Sequence, residues 1–374
     1  MLDNASRQRD FPSLQEMTYF NSAAEGIPPR AVADGLEEYF RDKLRGSAGR
    51  TEHFAAWEAA RRVTAEMFGL STDEVGICSC SSEAFNLLST ALDLKEGDKI
   101  IVNDLDFPAG RTPWLQPTCP ATVKMWQSRG GALRVEDLTP LLGPRTRLVS
   151  TSLVSYFNGF AINLPELMAA VRRASPALVA LDVTQALGRI PLDLKGVDFI
   201  VSSTHKWILA THGGGLVGIP SARAKELTAP AGGWFNLEDP FQRKPDDVSI
   251  SKPGAASFMV GMPNFPAVYA IRSALDYIQN VGPANIDAYA RPLVHAVLEG
   301  LARLPVEVIT PRGDDALAGI VAFRCERMPE VFDRLNAENI QLMYSAGRLR
   351  ISLHGYNTVQ DVERLLTVLR DLLR

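Results

Sequence analysis

Cysteine is scarce in this chain, and its placement excludes two kinds of site. Among 374 residues the four cysteines are Cys78, Cys80, Cys119 and Cys325, and none has the paired C-x-x-C spacing of zinc or dithiol centres. Cys78 and Cys80 flank Ser79 on an expected strand and read as buried structural thiols. No apolar run approaches the length of a membrane span. The polar stretch Met1 to Asp10 lacks the apolar core of a secretory signal, so a cytoplasmic protein is expected. Neither sign of charge dominates: 39 Lys and Arg oppose 43 Asp and Glu, a net charge of −4. That balance argues against a nucleic-acid backbone or an anionic membrane as partner. Repeats and low-complexity tracts are also missing. What is present, 46% hydrophobic and 22% charged residues, is an ordinary globular composition with a sizeable core.

Strand-like and helical patterns alternate from about residue 75 to 220. The expected strands are 75–80, 99–103, 146–152, 177–182, 199–202 and 216–219, with helices over 83–92 and 164–174. Near-continuous apolar strands between helices predict a mainly parallel sheet covered on both faces. From Thr228 to Gly261 the pattern dissolves into Pro, Gly and polar residues around Trp234, an excursion near the expected site. Helices follow over about 265–280 and 284–304. The remainder reads strand 306–310, strand 320–324, helix 330–336, strand 340–344, strand 349–353 and helix 359–373. Thr358 caps this last helix, with Asp361 three residues on. The division expected is an N-terminal segment 1–20 packing on a small domain, a large domain 21–260, and a small α+β domain 261–374.

The chemistry is written at two strand ends. Phe199 to Ser202 leads into Ser203-Thr204-His205-Lys206-Trp207, and Leu178 to Leu181 ends at Asp182. Desolvation there favours the neutral amine of Lys206, the form that condenses with an aldehyde. A lysine to hold the aldehyde as a Schiff base and an acid to keep a pyridine nitrogen protonated are what pyridoxal 5'-phosphate requires. Ser79-Cys80-Ser81-Ser82-Glu83 joins a strand to a helix. Its exposed amides and hydroxyls form a phosphate cup as well as a helix cap. Gly213-x-Gly215-x-x-Gly218 matches the dinucleotide fingerprint by letter, but it lies in or before a strand and leads to Pro220 rather than opening a helix. It is read as a close-packed turn.

These motifs, in this order from Tyr19-Phe20-Asn21-Ser22-Ala23-Ala24 to Arg350-Ile351-Ser352, resemble the class V aminotransferase family of fold-type I PLP-dependent enzymes. That group includes cysteine desulfurases and isopenicillin N epimerase. The resemblance implies an α/β fold with a large, mainly parallel-sheet domain and a smaller C-terminal α+β domain. It also implies a homodimer with active sites at the interface. It places Ser81, Ser82, Ser203 and His205 at the cofactor phosphate, Phe107 against the ring where many members carry histidine, and Gln185 at the phenolic oxygen. Tyr156 falls roughly where many members have asparagine, with Asn158 close by. Arg350 matches the arginine that grips the substrate carboxylate, Arg348 is the fallback, and Ala24 falls in the loop lining the substrate pocket. Met262 stands where the family has a threonine that reaches the neighbouring subunit's phosphate. Lys206 and Asp182 are the catalytic pair, and no metal site is expected.

The reaction expected on these grounds is transamination of an α-amino acid. The alternatives are β-elimination by a carbon–sulfur lyase, epimerisation, or a non-catalytic cofactor-binding homologue. Desulfurization of cysteine is disfavoured because 340–350 lacks the nucleophilic cysteine that the family's desulfurases carry shortly before the arginine. Cys325 reads as core.

Overall fold

The computed structural model describes residues 1–244, 246–313 and 316–373. A short helix α1 (Asn4–Asp10) and strand β1 (Thr18–Tyr19) precede two long helices, α2 (Arg30–Leu44) and α3 (Arg50–Phe68). Next come β2 (Val75–Cys78), α4 (Ser81–Ala91), β3 (Lys99–Asn103), α5 (Pro108–Arg111), β4 (Thr122–Trp126) and α6 (Val135–Leu138). β5 (Thr146–Ser152), α7 (Leu164–Ala174), β6 (Leu178–Asp182), β7 (Phe199–Ser203) and β8 (Gly215–Gly218) complete a seven-stranded sheet of order β2-β8-β7-β6-β5-β3-β4.

The inner strands are buried on both faces, as Val-, Ile- and Leu-rich runs between two helical layers must be. β3 to β7 run parallel, while β8 is antiparallel to both of its neighbours. The expected strands agree to within about two residues, but β4 was not foreseen. It is an edge strand whose Thr122 and Lys124 alternate with less exposed residues, so it carries no continuous apolar run. α2 and α3 were likewise not foreseen.

β6 and β7 end side by side, pairing Asp182 with Val201, so the groups that follow them share one end of the sheet. α4 begins at that end too. Cys80 caps it through its sulfur, which accepts from the Glu83 amide at 3.5 Å. In such parallel sheets ligands bind outside the carboxyl ends of the strands.

α8 (Phe265–Val281) and α9 (Pro283–Leu301) lead to a four-stranded antiparallel sheet, β12-β13-β10-β9. Its strands are β9 (Glu307–Val308), β10 (Ile320–Arg324), β12 (Met343–Ser345) and β13 (Arg348–Ser352); α10 (Met328–Ala337) and β11 (Ile340–Gln341) lie between. α11 (Val359–Leu372) closes the chain, with the Thr358–Asp361 capping box formed. The apolar residues of α9, α10 and α11 meet those of β10 and β13 in one core cluster that includes Val297, Phe323, Ile351 and Leu365. The single strand expected over 340–344 is broken at Leu342. Its first half pairs in parallel with β1 and its second with β13. α8, assigned to the smaller unit by the expected boundary at 261, lies against α2 and α3. Among the described residues, no helix is long and apolar enough to cross a membrane.

Candidate active site

A cavity of about 180 Å3 opens at the strand ends and brings together Ser81, Ser82, Phe107, Asp182, Gln185, Ser203, His205 and Lys206. The local chain explains each placement. Thr184 donates its amide to Asp182 Oδ1 at 2.8 Å, in a tight turn that fixes the carboxylate as β6 ends. The Thr184 hydroxyl oxygen in turn accepts from the Ser203 amide at 2.9 Å, tying the end of β7 to that turn. Ser81 at the start of α4 and Ser203 at the end of β7 share a hydroxyl contact of 2.9 Å. Two hydroxyls and the free amides of a helix's first turn therefore converge where an anion fits. β8 passes close behind this cup because Gly215 has no side chain: a Cβ there would lie 2.5 Å from the Cys80 carbonyl carbon.

Electrostatics set the protonation states. Burial pushes the Asp182 carboxyl up, opposed by the Thr184 hydrogen bonds and the charge of Lys206. Desolvation pushes the half-buried Lys206 amine down to about 8; Asp182 opposes this and Arg350 adds to it. Lys206 Nζ lies 5.2 Å from the centre of the Phe107 ring, and that ring is 44% exposed, with room for a flat partner. The loop before α2 presses on the lysine backbone. The Gly26 amide donates to the His205 carbonyl at 2.8 Å, and a Cβ at Gly26 would fall 2.0 Å from the Lys206 carbonyl oxygen.

His205 is pushed down to about 4 by burial, then by the charges of Lys206 and His212. It is neutral at neutral pH and stacks on His212 at 4.2 Å between ring centres, and His212 Nε2 contacts Glu25 at 3.2 Å. These three residues could present ligand atoms to a metal ion.

Other expected residues lie outside the lining. Ala24 does not line the cavity; the neighbouring Ala23 carbonyl accepts from Gln185 Nε2 at 3.0 Å, while Gln185 Oε1 accepts from the Trp207 indole at 2.6 Å. One amide proton of Gln185 is left for a ligand. Arg350 lies behind Tyr156, donating Nη1 to the Tyr156 carbonyl at 2.9 Å. Its Nε is buried without a partner, and it has no ion pair among the described residues. Arg348 is fully engaged, donating to the carbonyls of Phe157, Ser345 and Tyr156, which leaves Arg350 as the available guanidinium. Asn158 is occupied with Gly131, Ile309 and Phe160, whereas Tyr156 lines the cavity.

Cys80 departs from expectation. It is exposed and lines the cavity, whereas Cys78 is buried. A cysteine between two serines at a helix start signals a cap as readily as a strand, and the cap prevailed. Thr184 and Trp207 were not singled out in the sequence. Their adjacency to Asp182, Gln185 and Lys206 was the available signal. The glycine triplet 213–218 runs into and along antiparallel β8 and opens no helix.

The donor set fits pyridoxal 5'-phosphate: an anion cup, a buried acid, a lysine with a depressed pKa and a buried cation without a counter-ion. Residues 18–365 match the family described as Aminotransferase class-V. The chain belongs to that family, and it is a PLP-dependent enzyme of fold type I. It is 26% identical over 358 residues to "Uncharacterized aminotransferase YcbU" of Bacillus subtilis (strain 168), covering 95% of this chain and 94% of that one. It is also 26% identical over 394 residues to "Probable cysteine desulfurase" of Pyrococcus abyssi (strain GE5 / Orsay), covering 98% and 97%. The apo cysteine desulfurase of Thermococcus onnurineus NA1 superposes with a TM-score of 0.91 at 23% identity, over 100% of this chain and 98% of that one. The cystine C–S lyase C-DES, solved with its product cysteine persulfide, gives 0.87 at 22% identity, over 96% and 99%.

These neighbours overturn the expectation of transamination and the disfavouring of cysteine desulfurization. A lysine, an acid and a carboxylate-gripping arginine serve every reaction that begins by removing an α-proton. The missing cysteine between Ile340 and Arg350 was therefore too slender a ground for choosing among them.

Proposed function

We propose that this enzyme breaks the carbon–sulfur bond of a cysteine-type amino acid. The observation that carries the amino-acid part is Arg350: a buried cation with an unpartnered Nε, beside a lysine of lowered pKa. The sulfur part is supported by relatives named cysteine desulfurases and by the likeness in fold to a cystine lyase. When bound, pyridoxal phosphate supplies an electron sink that acidifies the substrate Cα–H.

The chain's own groups divide the work. Ser81, Ser203 and the first turn of α4 hold the phosphate. Asp182 keeps a proton on the pyridine nitrogen, and the open face of Phe107 stacks on the ring and excludes water. Arg350 receives the substrate carboxylate in its planar fork. Lys206, neutral in a useful fraction near pH 8, takes the Cα proton. In elimination the sulfur leaves Cβ with the bonding electron pair, and cysteine plus water gives sulfide, pyruvate and ammonia. In desulfurization an attacking thiol takes the sulfur as a persulfide, the electron pair stays with carbon, and a proton completes alanine.

We also infer a homodimer, supported by the exposed apolar side chains Phe241, Val248, Ile250 and Met262 within and just beyond the 228–261 excursion. The test is incubation of the cofactor-loaded enzyme with L-cysteine and L-cystine, quantifying sulfide, persulfide, pyruvate and alanine. Catalytic sulfur release is expected. Release from neither substrate refutes the reading.

A further inference from the structure

Elimination across a carbon–sulfur bond moves two protons: one off Cα and one onto the departing sulfur. Lys206 accounts for the first. We propose that Tyr156 is the general acid that supplies the second; this rests on the carbon–sulfur cleavage proposed above.

The inference comes from an inventory of the cavity. Phe107 has no proton to give. His205 is neutral and stacked on His212. Ser81 and Ser203 bond each other, Thr184 and Cys80 accept from the Ser203 and Glu83 amides, and Ser82 and Ser152 line the same cavity. Asp182 is assigned above to the ring nitrogen. Tyr156 stands apart among the cavity's hydroxyls: a phenol gives up a proton far more readily than an aliphatic alcohol, and this one has no hydrogen-bond partner among the described residues.

Its placement suits the task. The ring meets the Phe107 ring at 89° with centres 5.1 Å apart, and the Arg348 guanidinium lies 5.4 Å from its centre. The Tyr156 carbonyl holds Arg350, so the guanidinium assigned to the substrate carboxylate is tied to the backbone of the residue that carries the phenol. Phe107 contacts both partners of the cavity: its ring meets the Tyr156 ring at right angles, and Lys206 Nζ lies 5.2 Å from its centre.

In the step itself the Cβ–S bond breaks and its electron pair goes to sulfur. The Tyr156 O–H proton moves to that sulfur, and solvent reprotonates the phenolate before the next turnover. The Cα proton rests on Lys206. For cysteine the balance is cysteine plus water giving hydrogen sulfide, pyruvate and ammonia.

The experiment compares wild-type and Tyr156→Phe holoenzymes on L-cysteine and on β-chloro-L-alanine, whose chloride leaves without a proton. Exchange of the Cα–H of L-alanine in heavy water is followed by NMR as a readout of Lys206. The expected result is a fall of about 10²- to 10⁴-fold in pyruvate from cysteine, the range for a lost general acid. Elimination from β-chloroalanine and α-exchange should be nearly preserved. Equal losses on both substrates, through lost cofactor or lost exchange, would make Tyr156 a structural residue and overturn the proposal, as would no loss on either. If wild type converts cysteine to alanine, the acid role falls while carbon–sulfur cleavage stands. If wild type eliminates chloride but frees no sulfur from cysteine or cystine, the cleavage reading itself falls, and the acid role with it.

Discussion

Replacing Arg350 with lysine tests whether the buried guanidinium reads a substrate carboxylate. In the structure Nη1 is held by the Tyr156 carbonyl at 2.9 Å, and Nε is buried with no partner. The fork edge left for a ligand is therefore Nε with Nη2, two parallel donors that match a carboxylate. A lysine ammonium at the end of a flexible stem offers a point charge and can replace one of those bonds. Losing one charge-assisted hydrogen bond costs about 1.5–3 kcal/mol, or about 10- to 150-fold in kcat/KM. The assay is kcat/KM for L-cysteine beside cysteamine, which keeps the thiol and amine but lacks the carboxylate. Arg350→Lys should erode the preference for cysteine by that factor while the cofactor stays bound. Arg348→Lys should leave the preference intact and lower stability, because its three carbonyl partners would lose donors. An unchanged preference in Arg350→Lys, or its loss in Arg348→Lys instead, would refute the assignment.

Three further outcomes are expected. The rate at which apoprotein takes up free cofactor should climb about tenfold per pH unit up to about 8 and level off above, following the neutral fraction of Lys206. The same depressed pKa makes the folded apoprotein bind fewer protons than the unfolded chain between about 8 and the ordinary lysine value. Apoprotein stability should therefore rise with pH across that window, the burial penalty being complete below it, and Lys206→Met should flatten that rise in denaturant titrations. Asp182→Asn should retain cofactor yet lose about 10²- to 10³-fold in turnover, the range for removing one preorganised electrostatic group, as measured by steady-state sulfur release. Gly26→Ala places a Cβ against the Lys206 carbonyl and should cost about 1–3 kcal/mol in stability, read by denaturant titration, with slower cofactor uptake.

How much was legible in the sequence follows from where each signal lies. β3, β5 and α7 match their expected bounds because each is a dense apolar run or a capped amphipathic stretch with little competing local signal. β4 has only one fully buried residue, Trp126, at its end. An edge strand alternates polar with apolar and reads as loop. The break in 340–344 depends on β1, more than three hundred residues away, pairing with Ile340 and Gln341, and no local pattern encodes that. Asp182, Lys206, Ser81 and Ser203, which line one cavity, stood out in the sequence because strand-end acids, lysines and serines are conspicuous against apolar surroundings. Ala24 lies outside that lining, and a short loop side chain carries no such contrast. The adjacent Ala23 carbonyl, not Ala24, meets Gln185.

The reaction was harder to read than the site for a physical reason. Removing an α-proton requires a base, an electron sink and a carboxylate grip, and those requirements fix Lys206, Asp182 and Arg350 whatever bond breaks next. The bond is chosen later, by whether a leaving group at Cβ receives the proton or nucleophile it needs. That choice depends on one or two groups placed by segments distant in sequence: here Tyr156, whose ring meets the Phe107 ring at right angles and lies near the Arg348 guanidinium. A phenylalanine at 107 reads in isolation as the loss of a proton donor. In the folded site it is the surface against which another donor is set, so the departure at 107 and the departure at 156 form one arrangement. An enzyme so arranged should show its largest Tyr156 dependence on substrates whose sulfur leaves as a basic thiolate. That dependence should weaken steadily as the leaving thiol becomes more acidic along a series of S-substituted cysteines. A flat series would place the sulfur's proton source elsewhere.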